Sequence, residues 1–357
     1  MTKKRIRAKD VAEKAGVSQT TVSMVLNNYK NASFSEETRQ RIFRACEELG
    51  YTASRTGFRG GEQAKTILIV CPSFHNQHYV KVINSAQQRA IELGFEPVIF
   101  CTQRQEGEEA NLLGICRQMH VSGVLLTYQP YNSSAYRLLS MELPLVLVYD
   151  KTQGVNTNII ALDNYKIGRI IGEHLISLGH RYIAQVSKQL HPTQPARTRR
   201  IEGIRDAMAE AGLDPEKYLR ICTIESEGIR AAPNPEGYET GLLLGRRILE
   251  RYPEVTAFSA TNDMVAFGVL DAIYEKGRRV PQDYSVIGCD NTPMAAMHRL
   301  ELTSVDPFSS EKGRDAIDVL VKRIQAEDSF GDSTVPYTQI EYPPKLIIRK
   351  STGKCPR

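Results

Sequence analysis

The stretch Asp10–Asn27, DVAEKAGVSQTTVSMVLN, decides how the amino end of this chain is read. Val11, Ala12 and Ala15 place small apolar side chains on one face of a short helix. Gly16 supplies a turn, Val17 faces inward, and the Ser18 hydroxyl is suited to cap a second helix. Val22, Val25 and Leu26 form the buried face of that second helix and leave Gln19, Thr20, Ser23 and Met24 on the other side. This is a helix-turn-helix, the arrangement that offers its second helix to a DNA major groove. An ordinary helical hairpin has the same apolar pattern. A third helix follows, with Ser35 as cap and Ile42, Ala45, Cys46 and Leu49 as the stripe that packs on the first two. Arg39, Arg41 and Arg44 are left mostly outward.

The charge distribution supports the DNA reading. The net charge of +5 is confined to one end: residues 1–60 carry 12 Lys+Arg against 6 Asp+Glu, and the remainder 34 against 35. A basic end neutralises phosphates and steers association, whereas a nearly neutral body has no such task. The seven cysteines form no C-x-x-C pair and most have apolar neighbours, so free buried thiols are expected. No apolar run approaches a membrane span, the amino end lacks a signal peptide's apolar core, and the histidines form no ligand set. The expectation is a cytoplasmic, nucleoid-associated protein without membrane partner, metal or cofactor.

Residues 52–65, TASRTGFRGGEQAK, read as a linker, its glycines at 57, 60 and 61 weakening any helix. Beyond it, strands and helices alternate. Strands are expected at 66–71, 96–101, 122–127 and 144–149, with helices at 80–93, 107–119 and 132–141 between them. A second run pairs strands at 182–187, 219–224, 255–260 and 284–288 with helices at 167–178, 198–211, 236–250 and 263–276. Continuous apolar strands joined by crossover helices mean parallel sheets covered on both faces. A single α/β enzyme would share this alternation. However, G-x-G-x-x-G after the first strand, G-x-x-x-x-G-K-[ST] and G-x-S-x-G are all missing, and no nucleophile or acid–base pair stands out.

The chain resembles the lactose/galactose repressor (LacI/GalR) family of bacterial transcriptional regulators. The run D-V-A-x-x-A-G-V-S-x-x-T-V-S-x-V-L-N is matched at every stated position, followed by Ser35, Thr38, Arg39, Arg41 and Ile42, then Leu49-Gly50-Tyr51. The resemblance implies an N-terminal all-α helix-turn-helix domain (1–51), a hinge (52–65) and an α/β periplasmic-binding-protein-like body of two parallel-sheet lobes. By analogy the chain crosses between lobes near 162, 303 and 334. That gives an N-terminal lobe of 66–162 with 304–334, helix 309–325 included, and a C-terminal lobe of 163–303 with 335–350. The function implied is a regulator, usually a repressor, that binds a palindromic double-stranded operator as a homodimer or higher assembly under control of a small effector. Alternatives are activation, or control by a purine or a partner protein. A pure solute-binding module would need an export signal and no basic head.

Ligands of open α/β sheets bind beyond the carboxyl ends of strands. Asp150, Asn262, Asp263 and Asp290 follow strands, and the run Arg197–Gly203 opens a helix after one. Carboxylates, an amide and an arginine fork suit a small polyhydroxylated ligand, most simply a sugar or sugar derivative. The resemblance makes Asp150, Arg200, Asn262 and Asp290 effector contacts. It adds Tyr79, from the pattern Pro72, Asn76, Tyr79, while Asp163 and Asp263 read as helix caps. His78 stands where many relatives have an aromatic, and Pro307 and Ala196 stand where relatives carry polar residues, two departures that leave the effector's identity open. On the DNA side, Gln19 and Thr20 occupy the variable specificity positions, beside Ser18, Thr21, Ser23, Met24 and Asn27, with Arg5 and Arg7 on phosphates. In the hinge, relatives carry a wedging leucine where Gly60 stands. Three readings stand: Phe58, flanked by Arg55 and Arg59, replaces it as the wedge; the chain leaves DNA unkinked and relies on its heads; or the hinge is a flexible tether with Phe58 packed on the body.

Overall fold

The computed structural model describes residues 8–26, 34–49, 65–130, 136, 139–140, 142–150, 157–190, 195–229, 237–330 and 336–356. The expectations for Arg5, Arg7, Asn27, Arg55, Phe58 and Arg59 fall outside these residues, as do the side chains of Ser23 and Asp150. Contacts divide the chain at Ala64, separating a small amino-terminal unit from the body.

In the first unit, α1 (Ala8–Ala15), α2 (Gln19–Leu26) and α3 (Glu36–Leu49) surround one small core. Val11, Ala12, Ala15, Val22, Val25, Ile42 and Ala45 are buried there, with Val17, Phe34 and Leu49 at its margin. Gly16 has a φ of +65°, a left-handed conformation that permits the abrupt turn. Ser18 Oγ accepts from the Thr21 amide at 3.0 Å and so caps α2, and Ser35 does the same for α3 through Thr38.

The body holds two six-stranded sheets. Strands β1 (Lys65–Cys71), β2 (Phe95–Cys101), β3 (Val121–Leu126), β4 (Leu145–Asp150) and β5 (Asn158–Leu162) belong to the first. Helix α4 (Gln77–Glu92) connects β1 to β2. The expected helix at 107–119 is instead two short ones, α5 (Glu106–Ala110) and α6 (Leu112–Gln118), meeting at Asn111. The second sheet is built from α7 (Asn164–Ser177), β6 (Ile183–Val186), α8 (Pro195–Glu210), α9 (Pro215–Tyr218) and β7 (Leu219–Cys222). It continues with α10 (Gly237–Arg251), β8 (Ala257–Ala260), α11 (Asp263–Glu275), β9 (Ser285–Cys289) and β10 (Thr303–Asp306). Then α12 (Ser309–Phe330) packs against α4, β11 (Gln339–Tyr342) rejoins the first sheet, and β12 (Lys345–Ile347) returns to the second.

The sheet orders are β11-β5-β4-β3-β1-β2 and β12-β10-β9-β8-β6-β7, all parallel except the β12–β10 pair. Two crossings therefore differ from expectation. Residues 303–306 stay with the second sheet and 339–342 with the first, so the chain changes lobes after Asp306 and after Tyr342 rather than near 303 and 334. The physical reason is the weak signal of β10 and β11, each only four residues long, the latter half exposed and alternating in burial. A final segment completes the second lobe. The Ser351 carbonyl accepts from the Val286 amide at 2.8 Å, and the buried His180 ring contacts Ser285 Oγ and the Gly353 carbonyl at 2.8 and 3.1 Å. No helix among the described residues is long and apolar enough to cross a membrane.

Candidate functional site

Gln19 and Thr20 are exposed at the start of α2, immediately after the capping Ser18, while Thr21 and Met24 are half-buried. The cap and the expected specificity positions are thus adjacent. Packing Val22 and Val25 inward turns the first residues of α2 toward solvent.

In the body, α4 of the first lobe reaches the loop after β9 of the second, and four of the expected effector residues, Tyr79, Arg200, Asn262 and Asp290, have described side chains. Arg200 lies in the second turn of α8 and is held rigidly. Its Nε donates to Asn164 Oδ1 at 2.7 Å and its Nη1 to the Thr261 carbonyl at 2.6 Å. The helices behind it touch backbone to backbone, since a Cβ on Gly203 would lie 2.1 Å from the Tyr165 carbonyl. Only glycine permits that approach, and it fixes where Arg200 begins.

Asn262 caps α11, its Oδ1 accepting from the Val265 amide at 2.9 Å, so its side-chain oxygen already has structural work. Asp263, expected as a cap, does something else. It is fully buried, and its carboxylate accepts from the Thr292 amide at 2.7 Å and from Ser304 Oγ at 2.6 Å. These bonds tie the loop after β9 to β10. The loop needs tying: Asp290 has a φ of +113° and Asn291 of +44°, both strained for residues with a side chain. Asn291 donates to Asp306 Oδ2 at 2.9 Å and accepts from Arg349 at 2.6 Å. Asp290 is held buried in this frame, its amide on the Val305 carbonyl. Burial raises its proton affinity, nearby Asp263 raises it further, and Arg200 and Lys81 oppose them.

On the first lobe, Tyr79 lies in the first turn of α4, where its hydroxyl accepts from Arg104 Nη2 at 2.9 Å. Asp150 closes β4 opposite Leu162. His78, at the start of α4, meets Ser309 at the start of α12, with Nδ1 and Oγ 2.9 Å apart. Lys81 reaches across to the second lobe and donates to the main-chain oxygens of Asp290 and Asn291 at 3.0 and 3.3 Å. The Ser187 and Thr292 hydroxyls, buried just beyond β6 and β9, have no hydrogen-bond partner among the described residues.

The structure thus gathers Arg200 and Asp290 near His78 and Asp263, and adds Lys81, Ser309 and Lys312, which the sequence reading had not singled out. Lys312 did leave a signal. It occupies the apolar stripe of α12 with Ala316, Val319 and Leu320 and is fully buried. A lysine in such a stripe marks a place where charge is wanted.

Residues 8–54 match the family model described as bacterial regulatory proteins, lacI family, and residues 173–352 match a periplasmic binding protein-like domain. The HTH-type transcriptional repressor PurR of Haemophilus influenzae (strain PittEE) is 31% identical over 96% of this chain and 97% of its own. The HTH-type transcriptional regulator DegA of Bacillus subtilis (strain 168) is 30% identical over 96% of this chain and 97% of its own. A solved complex of the transcriptional regulator CelR with cellobiose is 27% identical, with a TM-score of 0.66, covering 97% of this chain and all of that one. The lac repressor dimer bound to operator, at 23% identity and a TM-score of 0.66 over 98% of this chain and 100% of that one, shares the fold. Identity of 30% or more along nearly the whole length means that the chain belongs to the lacI family of bacterial regulatory proteins: it is a DNA-binding transcriptional regulator with an effector-binding body, and not an enzyme.

Proposed function

We propose that this regulator is a repressor that binds a palindromic operator as a homodimer and is switched by a sugar or sugar derivative in the cleft between its lobes. The observation that supports the cleft reading is the nearness of Arg200 and Lys81, one from each lobe, to the buried Asp290. The repressor named PurR among the relatives supports the sign of regulation, and the cellobiose held by CelR supports a sugar. Asp150 completes the ligand set on this reading. Lys81 spans the cleft from α4 to the loop at Asp290, so a ligand seated there bears on the angle between the lobes.

On the DNA side, Gln19 and Thr20 read base edges, Ser18, Thr21, Ser23, Met24 and Asn27 flank them, and Arg5 and Arg7 hold phosphates. Gln can pair bidentately with adenine and the Thr methyl can meet that of thymine, whereas Met24 offers guanine nothing. Arg55, Phe58 and Arg59 serve the minor groove at the hinge, with Phe58 as the wedge. The dimer forms through the outer faces of α4 and α12, where Ile91 is 60% exposed.

Binding-site selection from a random duplex pool tests the DNA assignment. Gln19→Ala is expected to relax preference at one symmetric pair of positions, at a cost of about 1–3 kcal/mol for the preferred base. A uniform loss on all sequences, with the preference intact, would remove Gln19 from the base-reading role.

A further inference from the structure

Three polar side chains in the core of the second lobe lack what buried polar groups ordinarily have. Gln185 is 3% exposed, Ser187 1% and Ser259 0%, and among the described residues Gln185 Oε1, Ser187 Oγ and Ser259 Oγ have no hydrogen-bond partner. An interior polar atom without a partner forfeits its hydration for nothing, so native cores rarely keep one and still more rarely three in one place.

The sheet puts the three in one place. β6 and β8 run parallel with Gln185 directly beside Ser259, and Ser187 lies two residues beyond Gln185. Side chains alternate across a strand, so residues 183, 185 and 187 share one face of β6, and 257 and 259 share the same face of β8. The packing identifies that face. Ile183 and Ala257 belong to a core with Ile171 of α7 and Ile204 of α8, whereas Ala184 and Phe258 belong to one with Leu244 of α10 and Val269 of α11. The polar atoms therefore lie on the α7–α8 side, where the rest of the sheet is apolar: Ile183 precedes Gln185 and Ile287 pairs with Ser259.

The chemistry of the set selects its occupant. Two hydroxyls and an amide oxygen carry no charge, so a bare ion would be buried without a counter-charge. An apolar group would leave all three unpaired. A water donates to Gln185 Oε1 and to one serine oxygen and accepts from the other serine, the complement of about three bonds usual for an interior water. Ala257, Ser259 and Ser187 are all small, which leaves room for it beneath the helices. We propose that the second lobe encloses an ordered water between β6, β8 and the α7–α8 pair, held jointly by Gln185, Ser187 and Ser259. This site does not depend on what the cleft binds.

A high-resolution crystal structure of the full chain is expected to show a water within hydrogen-bond distance of all three side chains. Urea melts of Gln185→Met, Ser187→Ala and Ser259→Ala read the bonds that it makes. Each substitution takes a partner from the water, so each should lower the unfolding midpoint. Their effects should not add: Gln185→Met combined with Ser187→Ala should lose clearly less than the sum of the two singles, because either change already loosens the shared water. Midpoints raised by all three single substitutions would mean that unpaired atoms had been removed, and would overturn the proposal. Losses confined to Gln185→Met and Ser259→Ala, with Ser187→Ala neutral, would overturn it in favour of a direct bond between the amide and the Ser259 hydroxyl. Electron density in which the three side chains bond to protein groups alone would overturn it whatever the melts show.

Discussion

Asp263 and His78 show how far single residues could be read. Asp263 follows a strand in T-N-D and reads as a cap. The cap is Asn262, and Asp263 ties the strained Asp290 loop instead. Its partners Thr292 and Ser304 are 29 and 41 residues away, so no local pattern could reveal the role. His78 is a departure from the family in sequence and a neutral, cation-flanked group in the structure. Burial first, then Lys312, Arg200 and Lys81, lower its pKa to about 3. An ordinary histidine titrates near about 6.5. Between those values the unfolded chain takes up a proton that the folded chain refuses, so the associated stability is present above about pH 6.5 and is lost as pH falls toward 3. Asp290 acts in the opposite sense, its raised proton affinity costing stability as pH rises above the ordinary aspartate range. His78→Gln removes only the first contribution. Urea melts at about pH 7 and about pH 4.5 should therefore show a smaller acid loss for His78→Gln than for the parent chain, and equal losses would refute the assignment.

Long, strongly periodic elements were the legible ones. The helices of the head and α4, α7, α8, α10 and α11 have stripes or stops that local sequence supplies, such as Gly94, Gly179 and Gly212 with positive φ just past a helix end. The strands at the lobe crossings were not legible, because β10 and β11 are short and owe their place to partners far along the chain. The α4–α12 contact is a second feature invisible to periodicity. A Cβ at Gly313 would meet Ser85 Oγ at 2.1 Å and the Val82 carbonyl at 2.3 Å, and the backbone oxygen cannot turn aside. Gly313→Ala should force the helices apart at a cost of about 1–3 kcal/mol, read as a lower melting temperature. An unchanged melting temperature would mean that the helices can part freely there.

For the molecule as a whole, two domains and two lobes were foreseeable, and the partition of charge already indicated which part meets DNA. One recognition helix spans only a few base pairs, so two related by a two-fold axis, about 34 Å or more apart, are needed to read a palindrome. Equilibrium sedimentation should show a dimer at micromolar concentration; a stable monomer that still binds its operator would exclude this. The order in which the parts are made matters as well. Val11, Val22, Ile42 and their neighbours form a core of their own in the head, whereas the second lobe lacks β12 and the Ser351–Gly353 anchor until the whole of the first lobe has been synthesised. Domains form amino-terminal first as the chain emerges. A nascent copy thus owns a finished reading head before it owns a finished sensor, and a ribosome stalled late in the message leaves a fragment able to engage DNA but deaf to its effector.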